Sequence, residues 1–195
     1  MTRVFDETCV TYEDINRAVF SSDKRYRYIL EARVDPAREW PEDKEFLTGV
    51  FLNPSTADHR KLDATLRRFI GFARREAFLA VRVLNLFAQR ATDPRELARS
   101  ADPVGPDNDE FLRRYLWSDR RILVGWGNHG GLHGRSKQIE ELLPSTQAVI
   151  CLGLTDAGEP KHPLRLAKDT PMMPYWDRKY NPGRYSAWPL KGRDG

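Results

Sequence analysis

The apolar positions of this chain fall into two rhythms. Tyr26-Arg27-Tyr28-Ile29-Leu30 alternates polar and apolar residues and reads as a half-buried strand. Phe46 to Asn53 (FLTGVFLN), Ala80 to Leu86 (AVRVLNL), Arg121 to Gly125 (RILVG) and Gln147 to Leu152 (QAVICL) are nearly continuous apolar runs. Such runs suit strands covered on both faces in a parallel sheet. The first of them stops at Asn53-Pro54, because Pro54 cannot donate to a sheet ladder. Between the runs the spacing turns helical. Leu66, Phe69, Ile70, Ala73 and Ala77 predict a buried helix face that begins at Asp63, a natural N-cap. Asp35 to Asp43 is a loop with Pro36 and Pro41, and Phe87 to Pro106 is mostly loop with a short helix from Pro94. Further helices are predicted over Asp107 to Trp117, and from about Arg135 through Leu143, before Pro144.

Strands and helices therefore alternate, which gives a parallel sheet with helices on both faces. The expected fold class is α/β, a three-layer α/β/α sandwich with a mostly parallel four-stranded central sheet, plus an N-terminal strand. A chain of 195 residues fits one domain. The expected division is an N-terminal extension over 1–25, the α/β domain over 26–167 and a basic aromatic tail over 168–195.

Composition narrows the setting. Cys9 and Cys151 are the two cysteines, far apart and without metal-ligand spacing, so neither a disulfide framework nor a metal site is indicated. The N-terminal segment carries Asp6, Glu7, Glu13 and Asp14 and is not a signal peptide. No apolar run approaches the roughly 20 residues that span a bilayer. A cytoplasmic protein with no membrane partner and no cofactor is expected.

Most of the net charge of +4 sits at the C-terminus. Residues 168–195 hold six basic and three acidic side chains, interleaved with Tyr175, Trp176, Tyr180, Tyr185 and Trp188. Basic residues among aromatics suit single-stranded nucleic acid; the alternative is aromatic packing against the domain. The helix after Asp63 poses a similar choice. Arg67 and Arg74 share one stripe, and Arg68 and Arg75 another, serving either as a solvated face or as phosphate contacts.

In parallel sheets ligands bind beyond the carboxyl ends of the strands. The four strand ends here read Leu52-Asn53-Pro54-Ser55, Leu84-Asn85-Leu86-Phe87, Gly125-Trp126-Gly127-Asn128-His129, and Leu152-Gly153-Leu154-Thr155 leading to Lys161-His162-Pro163. Asn53 and Asn85 close otherwise apolar runs, where a buried amide is costly unless bonded. Each either caps a turn or serves a ligand. Gly125 to Gly130 matches G-x-G-x-x-G, but it follows the third core strand and no acidic residue stands clearly at the end of the next one; the glycines instead suit close approach of an anion. His129 and His133 lie in that loop and do not form a zinc pair on a helix. His162 is placed to donate a hydrogen bond to developing negative charge, or is an exposed loop histidine. No nucleophile elbow appears.

Leu52-Asn53-Pro54-Ser55-Thr56-Ala57-Asp58, Asn85-Leu86-Phe87, Ala91-Thr92-Asp93-Pro94, Asp102-Pro103-Val104-Gly105-Pro106, Trp126-Gly127 and His162-Pro163-Leu164 occur in that order. Together they resemble a bacterial and phage family of unknown function. More remotely, their order resembles the uracil-DNA glycosylase superfamily, which has a parallel four-stranded sheet between helices. That resemblance implies a water-positioning loop at Asn53-Pro54, base reading by Asn85, a Trp-Gly strand end at Trp126-Gly127 and a His-Pro loop at His162-Pro163. It departs where Ser55-Thr56 replaces an aromatic and Leu164-Arg165 replaces a phosphate-gripping serine.

The expectation is a protein that recognises a nucleobase, nucleotide or nucleic acid, with hydrolysis of an N-glycosidic bond as the reaction. Asn53 orients water and Asp58 is the nearby carboxylate for a base, since an asparagine cannot take the proton. His162 stabilises the leaving base and Phe87 stacks on it. Pro54, Ser55, Asn85, Trp126, Gly127 and His129 complete the binding surface. The alternatives are a non-catalytic nucleotide or nucleic-acid-binding module, and a nucleotide-dependent transferase using the loop over 125–134.

Overall fold

A computed structural model describes residues 10–13, 16–54, 63–118, 121–145 and 148–180. The strands are β1 (Val10–Glu13), β2 (Asn16–Phe20), β3 (Arg27–Arg33), β4 (Phe46–Phe51), β5 (Ala80–Asn85), β6 (Ile122–Val124), β7 (Val149–Cys151) and β8 (Met173–Pro174). The helices are α1 (Ala64–Arg75), α2 (Pro94–Arg99), α3 (Asn108–Ser118), α4 (Arg135–Glu140) and α5 (Tyr175–Tyr180).

All eight strands join one sheet in the order β1-β2-β3-β5-β4-β6-β7-β8. The four strands formed by the continuous apolar runs are parallel to one another, as β5-β4-β6-β7. The sheet as a whole is nevertheless mixed, not mostly parallel. β3 is antiparallel to β5, β2 to β3 and β1 to β2, and β8 closes the far edge antiparallel to β7. Residues on both sides of 26–167 thus belong to the same sheet, and the segment from 168 to 180 packs on the domain. Tyr175 is buried, and the Trp176 Nε1 donates to the Pro144 carbonyl at 3.0 Å. Tyr185 and Trp188 lie outside the described residues.

Each face of the sheet carries its own core, as period-2 alternation requires. Val50, Leu84, Ile122, Val124 and Val149 point into one core with Leu112 and Leu116 of α3 and Ile139 of α4. Leu47, Phe51, Val81, Val83, Leu123 and Ile150 point into the other, against Leu66, Phe69 and Ala73 of α1. Because both faces are covered, residues 26–30 are buried throughout, not half-buried as their alternation suggests.

Local signals set the helix ends. The Asp63 Oδ1 accepts from the Leu66 backbone N–H at 2.6 Å, and Asp93 and Glu96 form a reciprocal capping box before Pro94. The α1 face expected to include Ala77 ends earlier. Ala77 has φ +62° and sits in the turn after the helix, with the Phe78 N–H bonded to the Ala73 carbonyl. A buried cation packs on the α3 side of the sheet. Arg82 on β5 is 2% exposed; its Nε donates to Glu31 and its Nη2 to Asp43, both at 2.7 Å, and its guanidinium lies over the Phe46 and Tyr115 rings.

Candidate functional site

The ends of β4 and β5 are tied together just past the ladder. The Leu86 and Phe87 N–H groups donate to the Phe51 and Leu52 carbonyls, and the Ala91 N–H to that of Pro54. The Asn53 side chain completes this link, its Nδ2 donating to the Pro54 carbonyl at 2.9 Å and the Ala91 carbonyl at 2.8 Å. The amide nitrogen of Asn53 therefore holds the loop, and its oxygen takes no part in that tie.

Alternation continues from the strands into the rim. Phe51 and Val83 face the α1 core, so Asn53 and Asn85, two residues on, face the same way. There they meet α1 and the His162 loop in one slot of about 60 Å³, lined also by Arg27, Asp63, Thr65 and Leu66. Asn85 is 1% exposed, and its Nδ2 has no hydrogen-bond partner among the described residues. Its backbone carbonyl is held by the Asn108 Nδ2 at 3.1 Å, which fixes the strand end.

The last polar group is brought in by a loop that needs glycine beneath it. A Cβ on Gly125 would come within 3.1 Å of the Lys161 carbonyl and 3.2 Å of the Pro163 ring, so the bare backbone there admits the loop over 161–163. The His162 ring then packs edge-on against Phe51, centroids 5.6 Å apart. The His162 Nδ1 accepts from the Leu164 N–H at 3.4 Å. In the neutral ring this leaves the proton on Nε2, a donor. Burial lowers the pKa of His162 below the ordinary histidine value; Asp63 opposes this and Arg165 adds to it.

The sign of the pH effect follows from that shift. The folded chain binds fewer protons at His162 than the unfolded chain does. The associated stability is complete above about 6.5 and declines as pH falls below it toward the lowered folded value. Urea unfolding at pH values on either side of about 6.5 is expected to show a slope that His162→Gln reduces; an unchanged slope would place the titration elsewhere.

Arg27 joins the slot although its sequence pattern does not mark it as a site residue. It opens β3, which runs against β5 and so begins at the rim where the parallel strands end. It is 5% exposed, its Nε lacks a partner among the described residues, and burial lowers its pKa to about 10 despite the pull of Asp63. Asp63 caps α1, as its sequence position predicts, and also supplies the carboxylate of the slot.

Other expected residues lie elsewhere. Phe87 is wholly enclosed in the opposite core, because the strand alternation ends at Leu86, and it offers no face to a base. Phe51 is the aromatic of the slot. Trp126 is 2% exposed with its Nε1 bonded to Glu159, so it serves packing. Gly127 adopts φ +69° with its N–H on the Pro160 carbonyl, which turns the chain under the His162 loop. His129 is exposed on the turn over 128–134, away from the slot. Pro54 is buried beside Asn53. Ser55 and Asp58 lie outside the described residues.

Among the described residues no group of three or more His, Cys, Asp or Glu side chains gathers for a metal, and no helix is long and apolar enough to cross a membrane. No curated protein and no solved structure matches the chain. A family model described as "Protein of unknown function (DUF1643)" matches residues 27–164, which takes in Arg27, Asn53, Asp63, Asn85 and His162, and the chain belongs to that family.

Proposed function

We propose that the slot recognises the edge of an oxo-bearing nucleobase and that the protein hydrolyses the N-glycosidic bond attached to it. The observation that carries this reading is the donor set. Asn85 Nδ2 and Arg27 Nε are buried without partners, and both residues line the slot with His162. Buried donors left unpaired cost about 1–3 kcal/mol each, a cost that ligand carbonyl oxygens remove. A slot of about 60 Å³ admits the edge of a flat ring and leaves sugar and phosphate outside. The parallel order β5-β4-β6-β7 with a core on each face supports a three-layer α/β/α arrangement like that of the uracil-DNA glycosylase superfamily.

In the proposed reaction the Asn53 amide oxygen orients a water toward the anomeric carbon. The new C–O bond forms as the C–N bond breaks, and its electron pair leaves with the base. The His162 Nε2–H donates to the oxygen where that charge collects, as donors in an oxyanion hole do. The water proton passes to a carboxylate; Asp63 lines the slot, and Asp58 is the nearer one in sequence. Asn85 and Arg27 bind the base edge in both ground and transition states.

A panel of deaminated and modified bases in single- and double-stranded DNA, together with free nucleosides, tests the reading. Release of at least one base is expected, reduced about a hundredfold by His162→Ala and reduced also by Asn53→Ala. No release from any substrate, or release indifferent to both substitutions, overturns hydrolysis. A second reading, base binding without turnover, is favoured by the use of the Asn53 nitrogen as a backbone tie. Nucleobase binding that Asn85→Ala abolishes, with no release, would select it.

A further inference from the structure

Beside the slot, and on the same helix, lies a larger groove of about 640 Å³ between α1 and the segment over 164–169. We propose that this groove binds the sugar–phosphate backbone of single-stranded nucleic acid, so that the substrate of the neighbouring slot is a base within a polymer.

Its wall is cationic. Arg67, Arg68, Arg74, Arg75 and Lys168 line it against a single carboxylate, Asp169. Arg74 and Arg75 have structural work: Arg74 donates to the Val34 carbonyl, and Arg75 to the carbonyls of Lys168 and Thr170, pinning the far wall to the helix. The side chains of Arg67, Arg68 and Lys168 have no hydrogen-bond or ion-pair partner among the described residues. Arg67 and Arg68, with Lys168 on the facing wall, leave three cationic groups available to phosphates.

The floor is apolar: Gly71 and the exposed Leu164 lie under the guanidinium groups, with Phe72 buried beneath them, so apolar surface and phosphate-binding charge sit side by side. Gly71 lies on the exposed side of α1, and a Cβ there would meet nothing within 4 Å. Packing does not require glycine, which is a poor helix former; its missing side chain leaves the groove open. The groove also adjoins the slot. Ala64 and Leu164 line the groove, while Asp63 and His162, their near neighbours in sequence, line the slot. The choice of nucleic acid among polyanions rests on the nucleobase reading of that slot.

Fluorescence anisotropy with labelled oligothymidylate, over a range of salt concentrations, tests the proposal on the full chain. The double variant Arg67→Ala, Arg68→Ala is expected to bind about tenfold more weakly and to lower the salt slope by about 1.4, the share of two single-strand phosphate contacts. Gly71→Trp, at a position where a Cβ meets nothing within 4 Å, is expected to weaken binding without lowering the melting temperature. Arg113→Ala with Lys137→Ala, on other exposed surfaces, is expected to leave affinity within about twofold. Affinity indifferent to the Arg67, Arg68 pair overturns the proposal, as does equal competition by polyglutamate or by a free nucleoside triphosphate. The two readings fail separately. Groove-dependent oligonucleotide binding with no nucleobase binding sinks the slot alone, and nucleobase binding with oligonucleotide affinity indifferent to Arg67 and Arg68 sinks the groove alone.

Discussion

Arg82→Met is expected to lower the unfolding free energy by about 3–5 kcal/mol, the usual result of removing one partner from a buried ion pair. The loss falls on Glu31, whose side chain is 12% exposed and would keep its charge without its counterion. Asp43 contributes little to this figure, since its side chain is largely in water and its pairing is screened. The guanidinium also fills the space between the Phe46 and Tyr115 rings, which the methionine chain partly replaces. Urea unfolding of Arg82→Met, Glu31→Leu and the double variant checks the account. The double variant should be less destabilised than the sum of the singles, because it leaves no buried charge behind. A loss below about 1 kcal/mol in Arg82→Met would remove the ion pair from the fold's essential contacts.

Asn85→Leu is expected to separate binding from stability. The substitution removes a buried amide nitrogen that has no partner among the described residues and substitutes an apolar side chain of similar size. Replacing an unsatisfied polar group in this way is neutral or stabilising by about 1 kcal/mol. Nucleobase affinity should fall about a hundredfold, the effect of losing a buried directional hydrogen bond between site and ligand and leaving the ligand oxygen unpaired. Calorimetric titration with free bases, set beside the melting temperature of each variant, reads both effects. Loss of more than about 2 kcal/mol of stability would show instead that the amide is part of the fold.

Much of this arrangement is legible from residue patterns alone. The four apolar runs mark the parallel strands, and the polar residues ending them mark the rim, because strand ends and ligand sites coincide in this topology. Asn53, Asn85 and His162 line one slot for that reason. What escapes sequence reading is long-range. Arg27 looks like the polar half of an alternating strand; its burial follows from β3 running backwards beside β5, which no local pattern encodes. Asp63 has a complete local explanation as a cap, and that explanation hides its place in the slot. Phe87 misleads because an aromatic beside Asn85 suits base stacking, whereas the chain leaves the ladder at Asn85 and its ring turns into the opposite core. β8 is two residues long and β1 four, too short for periodicity to register.

The two-residue β8 has a consequence of its own. Without it, β7 would present the backbone of Val149-Ile150-Cys151, an apolar strand, as an open margin of the sheet, and such margins recruit strands from other chains. Met173 and Pro174 occupy that margin, and Pro174 has no N–H to offer a further strand. On this side the sheet is sealed against growth, so self-association by adding strand to strand is closed off there, and truncation before Met173 is the change that would open it to aggregation.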